Sequence, residues 1–104
     1  MPSIAQLERL LQTDPHDAFV LYGLAQEYAK AANWETACAY YDRCVRADPH
    51  YCYAYFHKAR ALDAAGKREE ARIAVRAGLE AAKASGDAHA ASELAGLWES
   101  LADE

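Results

Sequence analysis

Apolar residues recur along the chain at intervals of three and four: Leu7, Leu10 and Leu11, then Leu21, Leu24, Ala25 and Tyr28, then Ala37, Tyr41, Cys44 and Val45. That spacing puts them on one face of a helix, because about 3.6 residues complete a turn. The pattern predicts helices over 4–13, 18–31, 34–47, 52–65, 68–84 and 88–102. The breaks between them carry the expected signals. Asp14-Pro15 and Asp48-Pro49 end helices, since proline disfavours helical geometry in the residue before it. Ser3 with Gln6 reads as a capping box, Asp17 and Asn33 as N-caps, Gly66 as a turn, and Gly86-Asp87 as a helix stop followed by a new cap.

Sliding the chain by 34 residues lays Asp14-Pro15-His16 on Asp48-Pro49-His50, and with them Leu21 on Tyr55, Ala25 on Ala59, Tyr28 on Leu62, Glu35 on Glu69 and Ala37 on Ala71. The same shift places Leu7, Leu10 and Leu11 on Tyr41, Cys44 and Val45, and these on Val75, Gly78 and Leu79. A period of this length signals stacked supersecondary units, each a pair of helices.

Leu21-x-x-Leu24-Ala25-x-x-Tyr28, Ala37-x-x-x-Tyr41 and Pro49 together resemble a tetratricopeptide repeat. The second copy keeps Tyr55, Ala59, Leu62, Gly66, Ala71 and Val75 but has Lys58 in place of Leu24 and Lys83 in place of the proline. The resemblance covers about residues 3 to 85. It implies an all-α fold of antiparallel helix hairpins stacked as a short right-handed superhelical solenoid. The expected division is one domain over 1–104, with an N-terminal half repeat at 3–14, repeat 1 at 15–51, repeat 2 at 52–85 and a C-terminal capping helix at 86–104.

The stretch His50 to Arg60 is dense in rings. Tyr51, Tyr53 and Tyr55 alternate like a strand, but the repeat places them in a helix, where Tyr55, Ala59 and Leu62 form one stripe and Tyr53, Phe56 and Arg60 another on nearly the opposite side. The first stripe is expected in the core with its counterparts Leu21, Ala25 and Tyr28. The second corresponds to Phe19, Tyr22 and Gln26 one repeat earlier, so Phe19, Tyr22, Tyr53 and Phe56 are expected side by side. In the family the first helices line a concave surface. The resemblance therefore implies a partner-binding groove of Phe19, Tyr22, Gln26, Lys30, Tyr53, Phe56, Arg60 and Asp63. Tyr and Phe offer rigid apolar area and Arg60 a fork for a carboxylate. Where some relatives hold a C-terminal carboxylate with lysine and asparagine, this chain has Tyr22 and Gln26, which favours an apolar or aromatic ligand segment with one acidic group.

Composition narrows the function further. Sixteen acidic against eleven basic residues leave a net charge of −5, which opposes the phosphate contacts that nucleic-acid binding needs. The excess falls on Asp87, Glu93, Glu99, Asp103 and Glu104, an acidic end. Arg68, Arg72 and Arg76 lie at helical spacing, but neighbouring Glu69, Glu70 and Glu80 make a solvated face of them. Leu94, Leu97, Trp98 and Leu101 form the stripe by which the last helix packs on the preceding repeat. Cys38, Cys44 and Cys52 and four histidines show no metal-ligand spacing, and no phosphate loop or nucleophile motif is present. No enzyme activity, metal or cofactor is expected.

The start of the chain lacks a secretory pattern and no run is long enough for a bilayer, so a cytoplasmic protein is expected. With Met1 and caps at both ends it reads as a whole small protein. The function implied is a non-catalytic adaptor binding a protein or peptide segment. The rival is a homo-oligomerising structural protein whose groove or N-terminal half repeat forms the self-interface, because Ile4, Leu7, Leu10 and Leu11 have no helix upstream to cover them.

Overall fold

A computed structural model describes residues 2 to 102. Met1, Asp103 and Glu104 lie outside the described residues, and with the last two part of the expected acidic end. Six helices follow one another: α1 (Ile4–Thr13), α2 (Ala18–Lys30), α3 (Trp34–Ala47), α4 (Cys52–Ala64), α5 (Arg68–Ser85) and α6 (Ala88–Ser100). All the expected helices are present, with ends differing by at most two residues.

The caps explain the ends. Ser3 and Gln6 form the reciprocal capping box, and Asp17, Asn33 and Asp87 each accept a backbone N–H in the first turn of their helices. Asp14 and Asp48 each accept the backbone N–H two residues on, from His16 at 3.1 Å and from His50 at 3.0 Å. The repeated Asp-Pro-His is thus one turn built twice. Helix α2 stops at Lys30 because Ala32 turns left-handed at φ 59°, and α4 stops at Ala64 before Gly66 at φ 81°. Ala32 and Gly66 are one repeat apart, so alanine holds in the first hairpin a conformation that glycine holds at no steric cost in the second.

Helices α2 and α3 pair as one hairpin and α4 and α5 as the next, while α3 packs on α4 and α5 on α6. The first helices also touch in a row, α2 on α4 and α4 on α6. The core divides in two along the stack. One cluster gathers Leu7, Leu11, Val20, Leu21, Leu24, Ala25, Ala37, Tyr41 and Cys44, and the other Ala59, Leu62, Ala71, Val75, Leu94 and Leu101. A molecule of 42 × 30 × 20 Å results, in which each helix contacts its neighbours and little else.

Small residues set the closest approaches. Gly78 lies where α4 and α6 both meet α5: a Cβ there would stand 2.8 Å from Tyr55 Cβ and 3.0 Å from a Leu94 methyl. Tyr55, expected in the core, is half-buried, and its hydroxyl donates to the Pro49 carbonyl at 3.0 Å. Leu94 and Leu101 fix α6 against the second cluster. Trp98 is half-buried, with the guanidinium groups of Arg72 and Arg76 5.0 and 5.7 Å from its ring centre. Part of the arginine ridge therefore covers the last helix's tryptophan, a packing role that spacing along α5 could not show.

Candidate groove between the first helices

The row of first helices carries a connected series of rings. Tyr22 on α2 lies 4.9 Å from Tyr51, 6.1 Å from Tyr41 and 6.0 Å from His57, measured between ring centres. His57 on α4 meets Phe56 edge-on at 5.1 Å, Phe56 meets Tyr53 at 6.2 Å, and Tyr53 lies 6.5 Å from His89 on α6. The expected quartet is thus brought together only in part. Tyr53 and Phe56 pair, Tyr22 joins them through His57, and Phe19 stands apart at the start of α2, 74% exposed.

Beside this series a cavity of about 350 Å³ opens between the two hairpins. Gln26, Ala29 and Lys30 of α2 form one wall, His57, Arg60, Ala61 and Ala64 of α4 the other, and Trp34 and Tyr41 of α3 the remainder. Its size lies within the usual range for ligand sites, about 300–1,000 Å³. Gln26, Lys30 and Arg60 were expected here from the sequence. Asp63 is exposed and does not line it.

Tyr41, His57 and Trp34 were not in the expected groove. The repeat register assigns Tyr41 to the core, and its ring is indeed fully buried, but its hydroxyl donates a hydrogen bond to the Gln26 side-chain oxygen. Burial, reinforced by Tyr22, pushes the Tyr41 phenol well above its ordinary value, so it remains a donor at neutral pH. His57 follows an aromatic residue on the groove side, and that position was the available signal.

Burial first, and then the Arg60 guanidinium, push the His57 imidazole below its ordinary value. At neutral pH His57 is therefore uncharged, one nitrogen donating and the other accepting. Arg60 lies with its guanidinium carbon 5.9 Å from the Phe56 ring centre and keeps a solvent-facing edge. Lys30 pairs with Glu27 at 3.0 Å, an exposed contact that a ligand carboxylate could exchange at little cost. Burial first, and then Glu93 of α6, raise the Tyr53 phenol above its ordinary value, so the last helix borders the series of rings at its far end.

A stack of helix hairpins with small residues at its crossings and a groove along its first helices defines a class of helical-repeat protein. The chain is 34% identical over 91 residues to a TPR repeat-containing protein of Pseudomonas aeruginosa, covering 88% of this chain and 87% of that one. It belongs to the tetratricopeptide repeat family. No family model matches the chain. Among solved structures, the TPR2B domain of yeast Sti1 in complex with pHsp70 superposes with a TM-score of 0.88 at 21% identity, covering 94% of this chain and 78% of that one. PcrH in complex with the chaperone binding region of PopD superposes with a TM-score of 0.87 at 19% identity, covering 94% of this chain and 74% of that one. At those identities the likeness is one of fold.

Among the described residues, no helix is long and apolar enough to cross a membrane.

Proposed function

We propose that this protein is a non-catalytic adaptor whose groove along α2 and α4 holds a segment of a partner protein. An apolar or aromatic side chain of the ligand lies against Tyr22, His57 and Phe56, and an acidic group of the ligand meets Arg60 or Lys30. The observation that carries this reading is the cavity of about 350 Å³, whose walls join Gln26, Lys30 and Arg60 to His57, Trp34 and Tyr41. A site with apolar walls and a few convergent polar groups suits a side chain with a neighbouring carboxylate. Two structural neighbours, yeast Sti1 TPR2B and PcrH, were solved with segments of other proteins bound, which supports the same use of the fold here.

Several groups disfavour chemistry in place of binding. Burial, reinforced by Asp48, pushes the Cys44 thiol up to about 12, so it is protonated and a poor nucleophile at neutral pH. The Cys38 thiol is also raised by burial. A net charge of −5 disfavours nucleic acid as the partner.

The test is to pan the protein against peptide and protein-fragment libraries and to measure the selected ligands with Arg60→Ala, an exposed position whose loss leaves both core clusters intact. A common motif with an apolar residue near an acidic one, bound about 10-fold more weakly by Arg60→Ala, is the expected result. Ligands that bind Arg60→Ala and Phe56→Ala as tightly as the parent would place binding elsewhere. Phe56→Ala needs a folding control, because Phe56 also packs on the second core cluster.

A further inference from the structure

The signature of the first helices occurs a third time. Ala91-x-x-Leu94-Ala95-x-x-Trp98 on α6 matches Leu21-x-x-Leu24-Ala25-x-x-Tyr28 on α2, so α6 is a first helix by register as well as by position. Likewise α1 is a second helix, aligned with α3 and α5. The surfaces of the two agree with this. Ala25 and Ala59, covered by the second helices of their own hairpins, are 0% exposed, whereas the equivalent Ala95 is exposed. Cys44 is 0% exposed and Gly78 is buried, whereas the equivalent Leu10 is 53% exposed. One end of the molecule thus shows the face a first helix turns to its second, and the other end shows part of the face a second helix turns to its first.

We propose that these two faces bind each other between copies: α6 of one copy docks against α1 of the next, and the pair rebuilds a repeat hairpin across the junction. The chain itself carries both halves in matching register, which argues for a second copy as the occupant. Leu10 would cover the Ala91 side of α6, as Gly78 lies against the equivalent Tyr55 and Cys44 against the start of α2 inside the chain. Pro2, Gln6 and Arg9 flank Leu10 on this open face. Because the two faces differ, the contact is head to tail and does not close at two copies. One helix pair buries less than the about 800 Å² per partner of a standard interface, so association is expected at about 10 μM to 1 mM. This interface is separate from the groove and does not depend on it.

Sedimentation velocity from about 10 μM to about 1 mM tests the proposal. The expected result is a mass that climbs with concentration past the dimer. Leu10→Glu blocks the α1 face and Ala95→Glu the α6 face, each weakening self-association about 100-fold by placing an unpaired carboxylate in the junction. Each variant alone should be monomeric, and an equimolar mixture should form a dimer and stop there, since one intact junction remains. Both positions are exposed, so circular dichroism should match the parent. Leu10→Ser and Ala95→Gln replace either variant that loses helicity. A monomer throughout the range would overturn the proposal. So would a dimer that grows no further and that mixing the two variants fails to restore.

Discussion

The first hairpin, α2 with α3, and the second, α4 with α5, share one register and solve it with different volumes. Where the first has Leu24, Tyr41 and Cys44, all fully buried, the second has Lys58, Val75 and Gly78. The first joins its helices with large rings: Tyr28 and Tyr40 stack at 5.7 Å with planes 9° apart. The second gives up volume on α5, and the bulk comes from its neighbours, Tyr55 on one side and Leu94 of α6 on the other, which close over Gly78. Lys58 leaves the leucine position and reaches Asp42 of α3 at 2.6 Å, exchanging core volume for a partly exposed ion pair. A repeat position therefore specifies where a side chain points and leaves its size to be settled with whatever packs opposite. The first hairpin holds its own large core residues, while the second depends on α6.

The largest effect that would test this contrast is Leu24→Ala. It leaves a cavity beside fully buried Tyr41 and Cys44 and should cost about 2–5 kcal/mol, read as a lower urea midpoint with unchanged slope. Gly78→Ala should come next, costing about 1–3 kcal/mol as Tyr55 and Leu94 are pushed outward. If it costs nothing, α4 and α6 are not packed as tightly over α5 as their contacts with Gly78 indicate. The turn pair offers a reciprocal test. Gly66→Ala, with no atom within 4 Å to obstruct it, should cost about 1–2 kcal/mol through its backbone alone. Ala32→Gly should gain about 0.5 kcal/mol, because relief of the left-handed alanine is offset by greater freedom of the unfolded chain. Thermal unfolding of both variants would show whether the two turns are equivalent.

The smallest effect concerns pH. Since the folded state holds His57 below its ordinary value of 6.5, the unfolded chain binds the proton more readily. The contribution of neutral His57 to stability is fully present above about 6.5 and is lost as pH falls through the folded value. His57→Gln should reduce the difference in melting temperature between pH 7.5 and pH 5. An unchanged difference would mean that His57 is more exposed to water than its place between Tyr22 and Phe56 implies.

How much could be read beforehand differs between fold and groove. The six helices, their caps, the Asp-Pro-His turns and the two-hairpin register were legible because they rest on local rules: spacing of apolar residues, capping side chains and proline geometry. The candidate groove was legible only as a stripe. Gln26, Lys30 and Arg60 fell into its cavity, but Phe19 does not join the rings and Asp63 does not line the walls. Tyr41 looked like core alone because a register records the direction of a residue, not that its hydroxyl meets Gln26 of the neighbouring helix. His57 belonged to no motif in the sequence, because its ring gains meaning only between Tyr22 of one helix and Phe56 of its own.

The sequence by itself determined that this protein is a stack of tetratricopeptide hairpins, since backbone preference and periodicity act within a few residues of each other. Only the tertiary structure decided which aromatics share a surface, which volumes pair across Gly78, and which faces of α1 and α6 stay open. Those depend on contacts between residues far apart in the chain, where the angle and distance of two packed helices, and not the order of residues along either, fix what touches what.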